Sequence, residues 1–320
     1  MNIGYLQITR ICNHKCIFCS NPSNGNFLSL SEIEDSVKIL KKEGFNSIII
    51  TGGEPTIHPN FIDVVNIIKN NGIEARVITN GYLFSKTENV KQIKDAGINI
   101  VHLSVYTYKK ELNDKIREYP GAFDQMVKAI INLKKYGITT QITSVITKYN
   151  QDHLDKTVKF IKKLNPNISH FVRNVMDPEM MPKKGKDKKD EILPDLEKAG
   201  NSLVQIFKYL ESIGNTFRVE KMPLCFIPGY EWANTECRKI VKDEKRYVRF
   251  LDFREKINES GRDFQHGLLD DCKNCILNEI CGGVYENKKR YNYINVKPKG
   301  IDYKGNLEKI ILKIKGKTKG

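Results

Sequence analysis

Short runs of β-branched and apolar residues alternate with longer stretches in which apolar residues recur every three or four positions, and this alternation repeats along the first half of the chain. Such an order predicts βαβ units and a parallel sheet rather than a sandwich. Residues 3–10 read as a first strand. Ser29 and Glu32 have the spacing of a capping box, and Ile33, Val37 and Leu40 mark one face of a helix ending at Gly44. SIII (47–50) predicts strand two, running straight into TGGEP, and a helix over 59–70 ends near Gly72. ARVIT (75–79) predicts strand three, followed by a helix over 86–95 that ends at Gly97. Strand four is expected in INIVHLSVY (98–106), strand five within TTQITSVI (139–146) and strand six near HFVRNV (170–175). Six βα units make an α/β fold, a partial (β/α)6 TIM barrel, whose functional groups belong at the C-terminal ends of the strands.

Beyond strand six the pattern changes. PEMMPKKGKDKKDE (178–191) is Lys-rich and turn-prone, which predicts a mobile loop over the barrel mouth, and a helix follows over 194–212. A charge run of this kind is either a solvated face or a grip on an anionic substrate. FRVE (217–220) predicts one more strand, and cysteines concentrate after it. The expected domains are the barrel over 1–215, a small cysteine-rich domain over 216–300 and a basic tail over 301–320. Forty per cent apolar and 28% charged residues are ordinary for a soluble globular protein. No apolar run approaches membrane-spanning length and MNIGYLQITR lacks the pattern of a secretion signal, so a cytoplasmic location and no membrane partner are expected. The net charge of +15 suits an anionic partner such as nucleic acid or an acidic peptide; a compositional bias toward Lys, Asn and Ile along the whole chain gives the same number.

The candidate chemistry lies in CNHKCIFC. Cys12, Cys16 and Cys19, on one short loop after strand one, can hold three corners of a cubic [4Fe-4S] cluster and leave the fourth iron open. A small molecule with an amine and a carboxylate can chelate that iron. The alternatives are a zinc site completed by His14, which lies inside the loop and is badly placed to close a tetrahedron, and a disulfide, which a chain able to bury a large core does not need.

CxxxCxxC followed by GGEP (Gly52 to Pro55) resembles the radical SAM superfamily, over at least residues 5–175. The resemblance implies a SAM-binding [4Fe-4S] cluster, S-adenosylmethionine cleaved to a 5′-deoxyadenosyl radical, and an external electron donor of the flavodoxin or ferredoxin type. It assigns Thr51, Gly52, Gly53 and Glu54 to the turn that binds the amino group of S-adenosylmethionine, the two glycines giving a ligand close access to backbone. It places Phe18 near the adenine. Asn80, Ser104 ending strand four, Ser144 on strand five and Arg173 on strand six fit positions that contact ribose, carboxylate or substrate, and each also reads as a cap, turn or salt-bridge residue.

A second group, Cys225, Cys237, Cys272, Cys275 and Cys281, resembles the SPASM and twitch extensions that carry auxiliary Fe–S clusters, although Tyr285 stands where a full SPASM domain has a further cysteine. Five cysteines imply one auxiliary cluster, with Cys272, Cys275, Cys281 and Cys225 as ligands, or a zinc knot. Cys237 is then a spare thiol, able to donate a hydrogen atom to a substrate radical or else inert. The resemblance implies an enzyme that crosslinks, oxidises or epimerises a ribosomally made peptide, with a separate recognition protein as a possible partner. Action on a small molecule, a sugar or RNA, and a non-catalytic module that grips nucleic acid through lysines, are the other readings.

Overall fold

A computed structural model of the chain describes residues 3–21, 24–176, 189–244, 246–249, 251, 256–258, 269–284 and 306–316. Its elements begin β1 (Ile3–Thr9), α1 (Leu30–Lys42), β2 (Ser47–Gly52), α2 (Phe61–Asn70), β3 (Glu74–Thr79), α3 (Thr87–Ala96) and β4 (Ile100–Ser104). They continue with α4 (Lys110–Arg117), α5 (Ala122–Lys135), β5 (Thr139–Ile146), α6 (Leu154–Leu164), β6 (His170–Val175), α7 (Lys189–Ile192), α8 (Leu196–Ser212) and β7 (Thr216–Glu220). The last are α9 (Thr235–Lys242), β8 (Arg246–Arg249), β9 (Lys256–Asn258) and α10 (Leu307–Gly316). The chain divides into two compact units: Met1–Thr143 with Lys159–Ser169 and Arg246–Ile257, and Ser144–Val158 with His170–Lys245 and Asn258–Gly320.

In the first unit the strands lie side by side in the order β5, β4, β3, β2, β1, β8, all parallel. Registers such as Ile3↔Ser47, Ser47↔Glu74, Arg76↔Ile100 and Ile100↔Thr139 keep the strands in step, so Thr9, Gly52, Thr79 and Ser104 finish at one edge. β2 is buried on both faces from Ser47 to Ile50, which is why it reads as a continuous apolar run. On α1 the Ser29 hydroxyl accepts from the Glu32 amide while the Glu32 carboxylate takes the Ser29 amide, the capping box its sequence promised. Ile33, Val37 and Leu40 on that helix are fully buried, each stabilising the fold by about 1.5–3 kcal/mol relative to exposure. Leu40 sits so close to β1 that a Cβ on Gly4 would stand 2.6 Å from its Cδ2.

The (β/α)6 expectation is met and extended. In the second unit β7 pairs in parallel with β6, from His170↔Thr216 to Asn174↔Glu220, and in the first unit β8 pairs with β1 through Tyr5↔Val248. FRVE (217–220) anticipated β7, whereas β8 carries no βα spacing that marks it in advance, because it is delivered beside β1 by more than two hundred residues of intervening chain. Strand four is shorter than expected and stops at Ser104. Most of the Lys-rich run 178–191 lies outside the described residues, as does Tyr285. Within 301–320, expected as a tail, residues Leu307–Gly316 form α10, whose Ile310 and Ile314 are buried. Lys313 Nζ sits 4.6 Å over the Trp232 ring.

Candidate active site at the strand ends

The cysteine loop leaves β1 and is fastened to its surroundings by backbone. Lys15 and Ile17 donate to the carbonyls of Arg117 and Ile116 at the end of α4, at 3.1 and 3.0 Å. Gly53 and Glu54 donate to the carbonyls of Thr9 and Ile11, at 2.7 and 2.8 Å. These contacts explain the two glycines differently from the sequence reading. A Cβ on Gly52 would stand 2.3 Å from the Thr9 carbonyl oxygen and one on Gly53 2.1 Å from that of Ile11. The glycines are there so that the turn lies flat against β1 and the cysteine loop, whatever ligand the turn then meets. Gly52 also has φ 137°, a backbone region L side chains avoid.

Glu54 is buried and its carboxylate is filled by protein. Oε1 accepts from the Thr56 amide (3.2 Å), the Thr56 hydroxyl (2.5 Å) and the Thr79 hydroxyl (2.7 Å), and Oε2 accepts from the Asn80 amide (2.7 Å). Four donors match the four lone-pair sites of an ionised carboxylate. Burial raises its pKa and those donors pull it back. Glu54 thus clamps the ends of β2 and β3, and only the backbone of TGGEP is left to meet a ligand. Asn80 is drawn into the same lattice, donating from Nδ2 to Asn13 Oδ1 at 2.8 Å and accepting at Oδ1 from the Tyr82 amide. Phe18 packs edge-on against Tyr106, ring centroids 5.0 Å apart.

Cys12 feels the charge of Cys19, and Cys16 that of both Cys19 and Cys12. Burial pushes Cys12 up to about 11 and Cys16 up to about 12; neighbouring cysteines add to the rise and Arg117 opposes it. Burial also raises Cys19, against the Asn21 amide and Arg10. Bare thiolates here are therefore unfavourable, and a cationic iron–sulfur core is the kind of group that would stabilise them. Backbone amides two residues on already point at sulfur: His14 to Cys12 Sγ and Asn21 to Cys19 Sγ, both at 3.4 Å. Hydrogen bonds of this kind tune Fe–S centres. The donor set fits the cluster. Among the described residues no three His, Cys, Asp or Glu side chains close around a single ion. His14, the ligand of the zinc alternative, is turned elsewhere: Nδ1 lies 3.2 Å from Arg117 Nη1 and its ring 4.7 Å from that of Tyr119. Burial, then Arg117, lowers its pKa to about 3.

In the second unit Ser144 and Arg173 meet, Nη1 donating to Oγ at 2.5 Å. Arg173 is buried, its Nε has no partner among the described residues, and burial lowers its pKa to about 10. That leaves a desolvated cation with donor capacity to spare. The second group of cysteines gathers in the same unit. Cys225 lies in a tight turn after Pro223, Cys272 and Cys275 bound another, and Cys237 is fully buried in the first turn of α9, its amide capped by Asn234 Oδ1 at 2.7 Å. Amides two residues on point at sulfur here too, Leu277 to Cys275 at 3.4 Å and Gly283 to Cys281 at 3.3 Å. Burial pushes the Cys281 thiol up to about 11, with the Leu224 and Gly283 amides lowering it and Cys272 and Cys275 raising it. Cys237 is pushed up by burial and next by Cys281. Cys225 follows Leu224, whose amide is bonded to Cys281, and Cys237 feels the Cys281 charge.

The chain thus holds two thiol groups with amides directed at sulfur, the first on the loop after the leading parallel strand. The family model of the radical SAM superfamily matches residues 6–161. Residues 6–161 are a radical SAM domain. Such a domain uses a [4Fe-4S] cluster and S-adenosylmethionine. Among curated proteins the chain is 32% identical over 168 residues to a GTP 3′,8-cyclase of Aquifex aeolicus, covering 50% of this chain and 52% of that one. It is 28% identical over 170 residues to an AdoMet-dependent heme synthase of Oleidesulfovibrio alaskensis, covering 52% and 43%. The match thus spans about half the length of these curated relatives. Among solved structures, anSMEcpe with bound AdoMet and the Kp18Cys peptide superposes with TM-score 0.65 at 14% identity, over 99% of this chain and 100% of that one, a likeness of fold.

Arg117, Asn13 and Tyr106 pack around the cysteine loop and sequence reasoning missed them; His14, weighed only as a zinc ligand, meets Arg117 there. KELNDKIR reads as an ordinary charged helix, and nothing local marks its last arginine as buried.

Proposed function

We propose that this radical SAM domain and the C-terminal cysteines form one peptide-modifying enzyme, acting by crosslinking, oxidation or epimerisation. The observation that carries the reading is the second thiol group, in which Cys272 and Cys275 raise the Cys281 thiol and Cys281 in turn raises that of Cys237. A fold likeness over nearly the whole chain to a radical SAM structure holding a peptide supports it, whereas the relatives named for GTP and heme chemistry match about half of the chain. When bound, the cluster and S-adenosylmethionine would supply a 5′-deoxyadenosyl radical able to abstract hydrogen from the substrate, and an auxiliary cluster would take up the electron that the substrate radical loses on oxidation.

The chain's own residues have separable tasks. Cys12, Cys16 and Cys19 hold the first cluster, and the backbone of Thr51–Glu54 receives the amino group of S-adenosylmethionine. Arg173, held by Ser144 in the second unit, offers its charge to a carboxylate, and Phe18 with Tyr106 offers aromatic surface to the adenine. Cys272, Cys275, Cys281 and an upstream cysteine hold the auxiliary cluster. No described helix is long and apolar enough to cross a membrane, and cluster chemistry of this kind suits a reducing cytosol with a flavodoxin- or ferredoxin-type donor.

The test is anaerobic turnover of the reconstituted full chain with S-adenosylmethionine, dithionite and candidate precursor peptides, read by mass spectrometry. A peptide product lighter by two hydrogens, or carrying deuterium from solvent, is expected. Formation of 5′-deoxyadenosine by a Cys12→Ala, Cys16→Ala, Cys19→Ala variant at the wild-type rate would remove the radical reading. Turnover of GTP but of no peptide would move the enzyme to small-molecule chemistry.

A further inference from the structure

Arg117 ends α4 fully buried, and its bonds radiate to separate parts of the site. Nη2 donates to the Ser104 carbonyl at the end of β4 at 2.5 Å, and Nη1 donates to the Asn80 carbonyl after β3 at 3.4 Å. The same Nη1 lies 3.2 Å from His14 Nδ1 inside the cysteine loop, and the guanidinium carbon sits 4.7 Å from the centre of the Tyr106 ring. Its own backbone carbonyl accepts from Lys15 in that loop. The acceptors around the guanidinium are thus carbonyls and a neutral imidazole, and no ion pair between it and a carboxylate is found among the described residues.

Burying a guanidinium without a carboxylate is costly unless something else at the site carries negative charge. Here the negative charge belongs to the thiolates. Three of them around a core of charge +2 leave a net −1, and one-electron reduction takes it to −2, so a fixed cation nearby favours the reduced form. Arg10 is tied to the far side of the loop, its Nη1 donating to Asn21 Oδ1; Arg117 is tied to the stretch between Cys12 and Cys16, through His14 Nδ1 and the Lys15 amide.

We propose that Arg117 is a positioning residue for the [4Fe-4S] centre, fixing the cysteine loop to the ends of β3 and β4 and holding the reduced cluster at a more accessible potential. The proposal rests on the assignment of Cys12, Cys16 and Cys19 to that cluster. A structural strut and a charge that tunes potential make different predictions for Arg117→Lys, which keeps the charge and loses the fork, and for Arg117→Met and Arg117→Gln, which lose the charge.

The experiment is a redox titration of the reconstituted full chain followed by EPR, using the signal that changes when S-adenosylmethionine is added, so that an auxiliary centre is not counted. The neutral variants should lower the reduced-to-oxidised ratio at a given potential at least tenfold, a shift of 59 mV or more to the negative for one electron. Arg117→Lys should stay closer to wild type than either. If the neutral variants hold no cluster while Arg117→Lys does, charge is again the deciding property. Neutral variants that load at the wild-type potential, or failure of all three variants to load, would overturn the proposal. A wild-type chain that takes up no S-adenosylmethionine-responsive cluster would instead remove the cluster assignment on which it rests.

Discussion

Gly53→Ala adds one methyl group where two backbones meet. The new Cβ would lie 2.1 Å from the Ile11 carbonyl oxygen and 2.7 Å from its carbon, and neither atom belongs to a side chain that can swing away. A comfortable non-bonded contact is about 3.5 Å, so the turn and the cysteine loop must part by roughly 1 Å. That movement stretches the Gly53 to Thr9 and Glu54 to Ile11 hydrogen bonds, now 2.7 and 2.8 Å, past useful length. Two bonds at about 1 kcal/mol net each and overpacking at about 1–3 kcal/mol sum to roughly 3–5 kcal/mol. The cost falls on stability, on cluster assembly, or on both, since the loop that yields carries Cys12. At about 2 °C or more per kcal/mol, melting of the iron-free protein should drop by roughly 6 °C or more. Reconstituted iron and the S-adenosylmethionine-responsive EPR signal should fall with it. Gly72→Ala is the control: with φ 75° and nothing within 4 Å, it meets only backbone strain of about 1–2 kcal/mol and should keep full iron. A Gly53→Ala protein with wild-type melting and wild-type iron would refute the close approach.

Iron counting on Cys225→Ala and Cys237→Ala decides which of them completes the C-terminal site: loss of auxiliary iron in only one names the ligand, and loss in both makes both ligands. Gly200→Ala on α8 would place a Cβ 2.3 Å from the Phe226 carbonyl oxygen, displacing the turn that holds Cys225; auxiliary iron should fall while the N-terminal cluster signal persists, and unchanged iron would free that turn from α8. Folding stability should fall on acidification below pH 6.5. An unfolded His14 takes its proton near 6.5 and the folded one only near 3, so over that window the unfolded chain binds more protons. Chemical denaturation across pH 7 to 4 should show His14→Gln with the shallower slope, and parallel slopes would mean that His14 is accessible to protons in the folded protein.

Local sequence carried a good deal of this protein. Strand and helix periodicity located β5 and β6 and the capping box placed the start of α1, because each depends on neighbours within a turn or two. The spacing of Cys12, Cys16 and Cys19, and TGGEP at the end of β2, pointed to the chemistry for the same reason: the ligands sit on one loop and the turn on one strand end. Tertiary structure decided what depends on distant chain. Arg117 reaches His14 across 103 positions of sequence, and its burial follows from the way α4 docks on the cysteine loop. Gly53 reads alone as an opening to a ligand; only the proximity of Ile11 shows it to be a packing requirement. Cys237 looks spare in the polar run ANTECRK, yet the fold buries it beside Cys281. Short-range periodicity determines elements and the residue types they present, whereas which buried charge meets which thiol is fixed only when strands far apart in sequence are paired.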